Sequence, residues 1–253
     1  MNIAIIFAGG TGQRMGSSIP KQFLEIYGKP IIIHTLEKFQ YHDEIDKIYI
    51  GCKEEFIPYL KELVEKYHIT KVFSDGILPG GDSGQDTIYK VLKRASENNP
   101  DDSIVLIHDG VRPLITSEVI SKNIEGVKNN GTAITCTPCF ETPVMSFDGK
   151  TVSETPARQY MYTAQAPQSF VLKDILDVHE QVRLTDPNYT GSGIVDSCTL
   201  ARSVGREVCI IEGNRGNIKV TTPNDYIDLL ARLNAEDQKQ IYTLLEAEKV
   251  KRK

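Results

Sequence analysis

No apolar run in this sequence approaches the roughly 20 residues that a membrane-crossing helix requires, so neither a span nor a membrane partner is expected. Cysteine is sparse and odd in number, with Cys52, Cys136, Cys139, Cys198 and Cys209 scattered along the chain. A disulfide framework is therefore not expected, and a reducing, cytoplasmic compartment is. Cys136 and Cys139 have C-x-x-C spacing, but they close a strand-like run instead of opening a helix, and no second pair completes a zinc site, so they read as structural. Basic excess is also lacking. A net charge of −5 speaks against nucleic-acid binding, which calls for a basic surface, while leaving room for a local cationic cleft. The sequence opens on a strand-like run without the basic region and cleavage site of a secretory leader, so none is expected. Internal repeats, low-complexity tracts and linkers are missing too, which favours one domain over residues 1–253.

What is present is an alternation of short apolar runs with amphipathic stretches. Strands are expected at 3–8, 47–52, 71–75, 103–109, 132–138 and 206–213. Helices are expected at 30–39, 54–68, 86–95, 117–130 (closed by Gly131), 171–182, 195–204 and from 222 onward. Residues 76–84, GILPGGDSG, read as a glycine-rich loop. The alternation predicts an α/β fold with a mainly parallel sheet covered by helices on both faces. The rhythm breaks near residue 140, where a DG turn within 143–155 predicts an inserted β-hairpin arm over about 139–160.

The stretch FAGGTGQRMGSSIPKQF (7–23) leaves the first strand with four glycines and two cations, Arg14 and Lys21. Such a loop suits a phosphate. It is neither a dinucleotide fingerprint, because Met15 follows Gly10-Thr11-Gly12-Gln13-Arg14 where a third glycine is needed, nor a P-loop, because Gly16 lies too far from Lys21. Glycine N–H groups can wrap a triphosphate while Arg14 and Lys21 neutralise charge that builds in a phosphoryl transition state. IHDGVRP (107–113) ends a strand on Asp109, an oxygen donor suited to Mg²⁺, with Arg112 following; the simpler reading is an Asp109–Arg112 pair. Lys219 lies in GNIKVTTP, beside a strand-to-helix loop. His108 is the one histidine in a motif and reads as orienting its loop.

These motifs, with GGD…DTI, ET (141–142), PAR (156–158), AQAPQSF and GNIKVTTPNDY, occur in an order and spacing that resembles the cytidylyltransferases activating ribitol 5-phosphate or 2-C-methyl-D-erythritol 4-phosphate with CTP, over roughly residues 1–235. The resemblance implies a Rossmann-like nucleotidyltransferase fold and a homodimer joined through the arm. It implies condensation of CTP with a polyol phosphate to give CDP-polyol and pyrophosphate, with Mg²⁺ held by Asp109. Arg14, Lys21 and Lys219 would be catalytic. Ala8, Gly9, Gly10, Thr11 and Gly12, with Gly80, Gly81, Asp82 and Thr87, would bind the nucleotide. Arg112, Thr142 and Arg158 would handle the acceptor, Arg158 from the partner subunit.

The chain departs from the family pattern in places. Gly84 stands at an arginine position, where Gln85 could substitute in part; Ala166 replaces a threonine, Val195 another, and Gly216 an aspartate. HDGVRP and the Asp196-Ser197-Cys198 segment resemble the ribitol branch more than the methylerythritol branch, which implies a role in teichoic-acid-like or capsular surface polymers. Three alternatives stay open: a nucleotidyltransferase using another nucleotide or a sugar 1-phosphate, a non-catalytic nucleotide-binding protein, and a dehydrogenase. The last is weakened because Lys53, not an acid, follows the second strand.

Overall fold

The structure, a computed structural model, describes residues 1–10, 19–186, 189, 191 and 193–237, with 235–237 described by backbone alone. A seven-stranded sheet is built from β1 (Asn2–Ala8), β4 (Lys47–Cys52), β5 (Val72–Pro79), β6 (Ile104–Asp109), β7 (Thr132–Pro138), β8 (Tyr162–Val171) and β9 (Ile210–Glu212). Their order across the sheet is β5-β4-β1-β6-β8-β7-β9. A separate two-residue ribbon pairs β2 (Glu25–Ile26) with β3 (Lys29–Pro30). The helices are α1 (Ile31–Gln40), α2 (Ile57–Lys66), α3 (Gly84–Ser96), α4 (Ser117–Asn130), α5 (Leu172–Thr185), α6 (Ser197–Ser203) and α7 (Pro223–Asp237).

The central strands read as unbroken apolar runs because both of their faces are covered. In β1, Ala4 and Ile6 pack on one side with Leu36, Leu60 and Ile120 from α1, α2 and α4. Ile3 and Ile5 pack on the other with Val91 and Ile175 from α3 and α5. A third cluster joins Leu229 of α7 to Ile26, Ile31, Val111 and Leu114. Helix α4 shows how local chemistry sets the boundaries. Thr116 accepts a hydrogen bond from Val119 N at its start, and Gly131, at φ 75°, closes it as expected.

Strands β1, β4 and β5 grow in one direction from β1, and β6 lies on its other side, all parallel. The reversal of strand order between β1 and β6 is the place where an open α/β sheet leaves a crevice at the carboxyl ends of its strands. Phe7 and Asp109 are register partners there, so the opening glycine loop and the HDGVRP loop leave the sheet side by side.

Three expectations need correction. Residues 76–79 belong to β5, so the glycine loop is shorter than expected. Gly76 instead forms an irregularity in the pairing with β4, where a Cβ would come within 3.2 Å of Ile48 O. Strand β8 was not anticipated as a strand. It lies between β6 and β7, antiparallel to both, and carries a proline at the shift in its register against β7. The arm is a hairpin with a single bridge, Met145 to Glu154, in place of a two-stranded ladder. Its turn is held by the Asp148 carboxylate, which accepts from Lys150 N, Thr151 N, Thr151 Oγ1 and Ser146 Oγ. The backbone donors of Thr151 and Lys150, then the two hydroxyls, hold Asp148 well below the usual carboxylate range.

Gly131→Ala should lower stability by about 1 kcal/mol, because a Cβ at φ 75° is strained while nothing else surrounds that position. Urea unfolding followed by circular dichroism measures the shift in midpoint.

Candidate active site

At the end of β6 the Asp109 carboxylate is shared between two cations. Lys219 Nζ lies 2.5 Å from Oδ1, and Arg112 Nε lies 2.8 Å from Oδ2. Arg112 is fixed further by donating to Asn217 O at 2.7 Å. Burial by itself would raise the Asp109 pKa, but the charge of Lys219 and then that of Arg112 override it and hold the group down to about 2. Asp109 is thus ionised at every pH where the protein would work, and the three side chains together carry one net positive charge. Lys219 is the open member: its side chain is 41% exposed against 7% for Asp109. Beside them His108 is fully buried, with Nε2 3.1 Å from Arg112 O. Burial lowers its pKa to about 4, so it is a neutral ring that fits loop positioning and has no charge to exchange near neutrality.

The glycine side of the crevice starts at Ala8. Gln22 donates through Nε2 to Ala8 O at 2.6 Å and to Gly10 O at 3.2 Å, tying the far end of the opening loop back onto β1. Lys21 is buried in the short 3-10 turn Lys21–Phe23, with Cε 3.8 Å from where a Cβ on Gly10 would stand. Its charge is felt by Asp225, the residue that accepts from Thr221 N and Thr222 N at the start of α7. Lys219, three residues before Thr222, lies 5.8 Å from the Phe7 ring centroid. Lys21 and Lys219 therefore flank the carboxyl end of β1 from two distant segments. Thr11, Gly12 and Arg14 lie outside the described residues.

On the other flank Thr87 organises the glycine loop. Its Oγ1 accepts from Gly81 N and donates to Ser83 O, both at 2.9 Å. Cβ atoms on Gly9, Gly51 and Gly80 would each come within 3.4 Å of this side chain, so three strand ends converge on it. Thr87 was expected to touch the nucleotide; it is buried, and its hydroxyl is engaged in shaping the loop. Asp82 is exposed at the loop's tip. A cleft of about 510 Å³ opens here between Gly9, Gly80 and Gly81 on one side and Lys53, Glu54 and Glu55 on the other.

The loop is braced from behind by a residue that motif reading missed. Arg183 of α5 reaches Asp86 Oδ1 at 3.2 Å, and its guanidinium carbon stands 3.7 Å from the Tyr89 ring centroid. Asp86 in turn fills the space beside Gly81, where a Cβ would fall 1.8 Å from its Oδ2. Arg183 also lies 3.2 Å from Nδ1 of buried His179, whose pKa burial, and then the Arg183 charge, pulls down to about 3. No local signal marks Arg183: it lies 97 positions from Asp86.

The expected acceptor residues divide. Arg112 belongs to the Asp109 cluster and, with it, lines a second pocket of about 160 Å³. Thr142 is exposed on the arm, and Arg158 donates to Phe140 O at 2.9 Å; neither lines that pocket. Among the described residues no group of three or more His, Cys, Asp or Glu side chains could hold a metal ion, and no helix is long and apolar enough to cross a membrane.

The family described as IspD: 2-C-methyl-D-erythritol 4-phosphate cytidylyltransferase matches residues 2–235. A ribitol-5-phosphate cytidylyltransferase of Vibrio parahaemolyticus is 45% identical over 243 residues, covering 96% of this chain and 100% of the relative. A 2-C-methyl-D-erythritol 4-phosphate cytidylyltransferase of Clostridium botulinum is 38% identical over 226 residues, covering 89% and 94%. Among solved structures, 4-diphosphocytidyl-2C-methyl-D-erythritol synthase of Anaerococcus prevotii superposes with a TM-score of 0.77 at 29% identity, covering 92% of this chain and 96% of that one.

Arg183→Ala should speed amide hydrogen exchange across residues 80–87 while leaving the central strands protected, a contrast read by mass spectrometry. His179 generates a pH dependence. Its folded pKa of about 3 lies below the ordinary 6.5, so as pH falls below 6.5 the unfolded chain takes a proton that the native state refuses. Stability is lost as pH falls through that window, by about 1.4 kcal/mol per unit. Urea unfolding at pH 7 and pH 5 should show a smaller loss in His179→Gln than in the wild type.

Proposed function

The chain belongs to the IspD family of cytidylyltransferases, and from that membership we propose that it condenses CTP with ribitol 5-phosphate to give CDP-ribitol and pyrophosphate. The observation that carries the chemistry is the Asp109–Lys219–Arg112 cluster, set beside the glycine loop at the β1–β6 crevice. The choice of acceptor rests on identity: relatives named for ribitol 5-phosphate reach 44–45%, against 38% for those named for methylerythritol phosphate.

An acceptor phosphate monoester oxygen attacks the α-phosphorus of CTP. The new P–O bond forms as the bond to the β-phosphate oxygen breaks, and pyrophosphate leaves. The nucleophile is ionised at neutral pH, so the reaction needs no general base, and neutral, buried His108 is not called upon as one. The barrier is repulsion between two polyanions. Lys21, Lys219 and Arg14 lower it by neutralising charge, most strongly as the α-phosphorus becomes pentacoordinate. Ala8, Gly9, Gly10, Thr11 and Gly12 offer backbone to the phosphates. Gly80, Gly81 and Asp82 receive the base and ribose, with Thr87 holding their loop.

Asp109 fits Mg²⁺: it is a hard, ionised oxygen donor, and this ion commonly takes one or two protein carboxylates and completes its shell with phosphate oxygens and water. When bound, Mg²⁺ would neutralise phosphate charge. Of the two cations on Asp109, exposed Lys219 is the one free to turn toward phosphate, since Asn217 O also holds Arg112.

The arm is the proposed dimer contact. Val144, Phe147, Val152 and Tyr160 are each more than half exposed along it. Pairing of two arms would bury them and deliver Thr142 and Arg158 to the partner's acceptor site, which explains why neither meets Asp109 within one chain. A cytoplasmic enzyme making CDP-ribitol would supply ribitol units for a teichoic-acid-like or capsular polymer. The second reading, methylerythritol 4-phosphate as acceptor, is favoured by the description of the matching family.

Pyrophosphate release with CTP should be far greater with ribitol 5-phosphate than with methylerythritol 4-phosphate, and absent when UTP or GTP replaces CTP. Lys21→Ala should lower kcat by about 100-fold or more with little change in the KM for CTP. Arg158→Ala should raise the acceptor KM and leave CTP binding intact, as read by steady-state kinetics and calorimetry.

A further inference from the structure

The larger cleft, of about 510 Å³, meets the glycine loop at Gly80 and Gly81, neither of which has a side chain to anchor it. Glycine backbone has the most conformational freedom to lose, so such a loop keeps one shape only where its neighbours fix it. Beside Gly81 that neighbour is Asp86. A Cβ on Gly81 would fall 1.8 Å from Asp86 Oδ2 and 2.5 Å from its carboxyl carbon, so the carboxylate occupies the place a side chain would take. The position of Gly81 therefore follows that of the Asp86 carboxylate.

Two cations hold that carboxylate, and they differ. Lys90 reaches Oδ2 at 3.3 Å from a side chain that is 49% exposed, where water and salt weaken the pair. Arg183 reaches Oδ1 at 3.2 Å from a side chain that is 20% exposed. Arg183 is itself fixed from several sides. Its Nη1 donates to His179 O at 3.3 Å and lies 3.2 Å from His179 Nδ1. Its guanidinium carbon stands 3.7 Å from the Tyr89 ring centroid and 5.1 Å from that of Tyr189, within cation–π range of both. Tyr89 is held in turn by donating to Glu180 Oε1 at 2.6 Å. Asp86 and Tyr89 are one turn apart on α3, and His179 and Arg183 are one turn apart on α5. The contact between these two helices thus ends on the carboxylate beside Gly81, while Arg183 itself lines neither of the two pockets.

We infer that Arg183 is a positioning residue for CTP: by holding Asp86 against Gly81 it fixes the wall that receives base and ribose, and so sets the affinity for the nucleotide from outside the cleft. This rests on the cytidylyltransferase reading above and adds to it a residue that touches neither substrate. Without the guanidinium the Asp86 carboxylate turns toward water, and Gly80 and Gly81 gain conformations that a bound base must remove again. That ordering cost appears as weaker binding. The phosphates of CTP lie on the other flank, by the loop that leaves β1, and do not draw on this brace. A lysine could not serve in the same way, because the planar guanidinium faces the Tyr89 ring while directing N–H groups to Asp86 and His179 at once.

The test uses the full chain with CTP and ribitol 5-phosphate. Arg183→Ala should raise the KM for CTP by about tenfold, with kcat and the acceptor KM within about twofold of wild type. A merely structural loss would instead lower the folded fraction, and with it kcat, while leaving KM unchanged. Inhibition by pyrophosphate, which engages only the phosphate side, should keep its constant within about twofold. Asp86→Asn keeps the shape beside Gly81, removes the ion pair without touching α5, and should give the same phenotype should Arg183→Ala fold poorly. Combining the two substitutions should add less than about twofold to the larger single effect, because both break one link. The inference is overturned if both single variants leave the KM for CTP within about twofold, if the acceptor KM or the pyrophosphate constant rises as much as the KM for CTP, or if the two effects multiply. In each of these cases turnover of CTP with ribitol 5-phosphate would leave the parent reading standing. Absence of pyrophosphate release by wild type with any polyol phosphate would instead reject that reading itself.

Discussion

Asp109 shared between Lys219 and Arg112 is the constraint on which the rest of the site depends. The carboxylate is buried at the end of β6, where it would be costly to ionise alone. Two cations from different parts of the chain make the ionised form the stable one. In return the carboxylate draws Lys219 and Arg112 together, at the point where strand order reverses and the sheet opens. Arg112 also binds Asn217 O, so the segment carrying Lys219 is stitched to the HDGVRP loop by side chain and backbone alike. The result is a site with one net positive charge beside the loop that leaves β1, an arrangement suited to bringing two phosphates together.

The glycine loop on the other flank is rigid for a different reason. Glycines bring Gly9, Gly51 and Gly80 close enough to share one threonine, and no larger residue would fit at Gly51, where a Cβ would lie 2.5 Å from Thr87 Cγ2. Behind them Asp86 and Arg183 supply a brace that does not touch the cleft. Position 84, an arginine in the family pattern, is glycine here, and the Arg183 guanidinium approaches the loop from α5. Gly84 also lines the pocket that Asp109, Arg112 and Lys219 share.

The arm contrasts with this rigidity. One bridge and an aspartate-held turn support a segment whose apolar side chains are largely exposed. At its base, Arg215 stands 4.0 Å from the Phe140 ring centroid, which anchors the arm to the loop before Lys219. An element of this kind is well placed to complete a neighbouring site, and poorly placed to serve its own.

By itself the sequence determined the strands other than β8, the helices over them and the motif residues at the strand ends. Those features are encoded locally, in apolar periodicity, in caps such as Thr116 and Gly131, and in glycine and charged residues that follow an apolar run. The hairpin at 143–155 was legible from its DG turn, although not how little would hold it. Only the tertiary structure decided that β8 runs antiparallel in the middle of the sheet, that Thr87 shapes the loop from within, and that Arg183 braces Asp86. Apart from the local bonds of Thr87 to Gly81 and Ser83, those facts join segments far apart in the chain. Burial and pairing across such distances arise when the sheet assembles, and the residues involved carry no periodic trace of it beforehand.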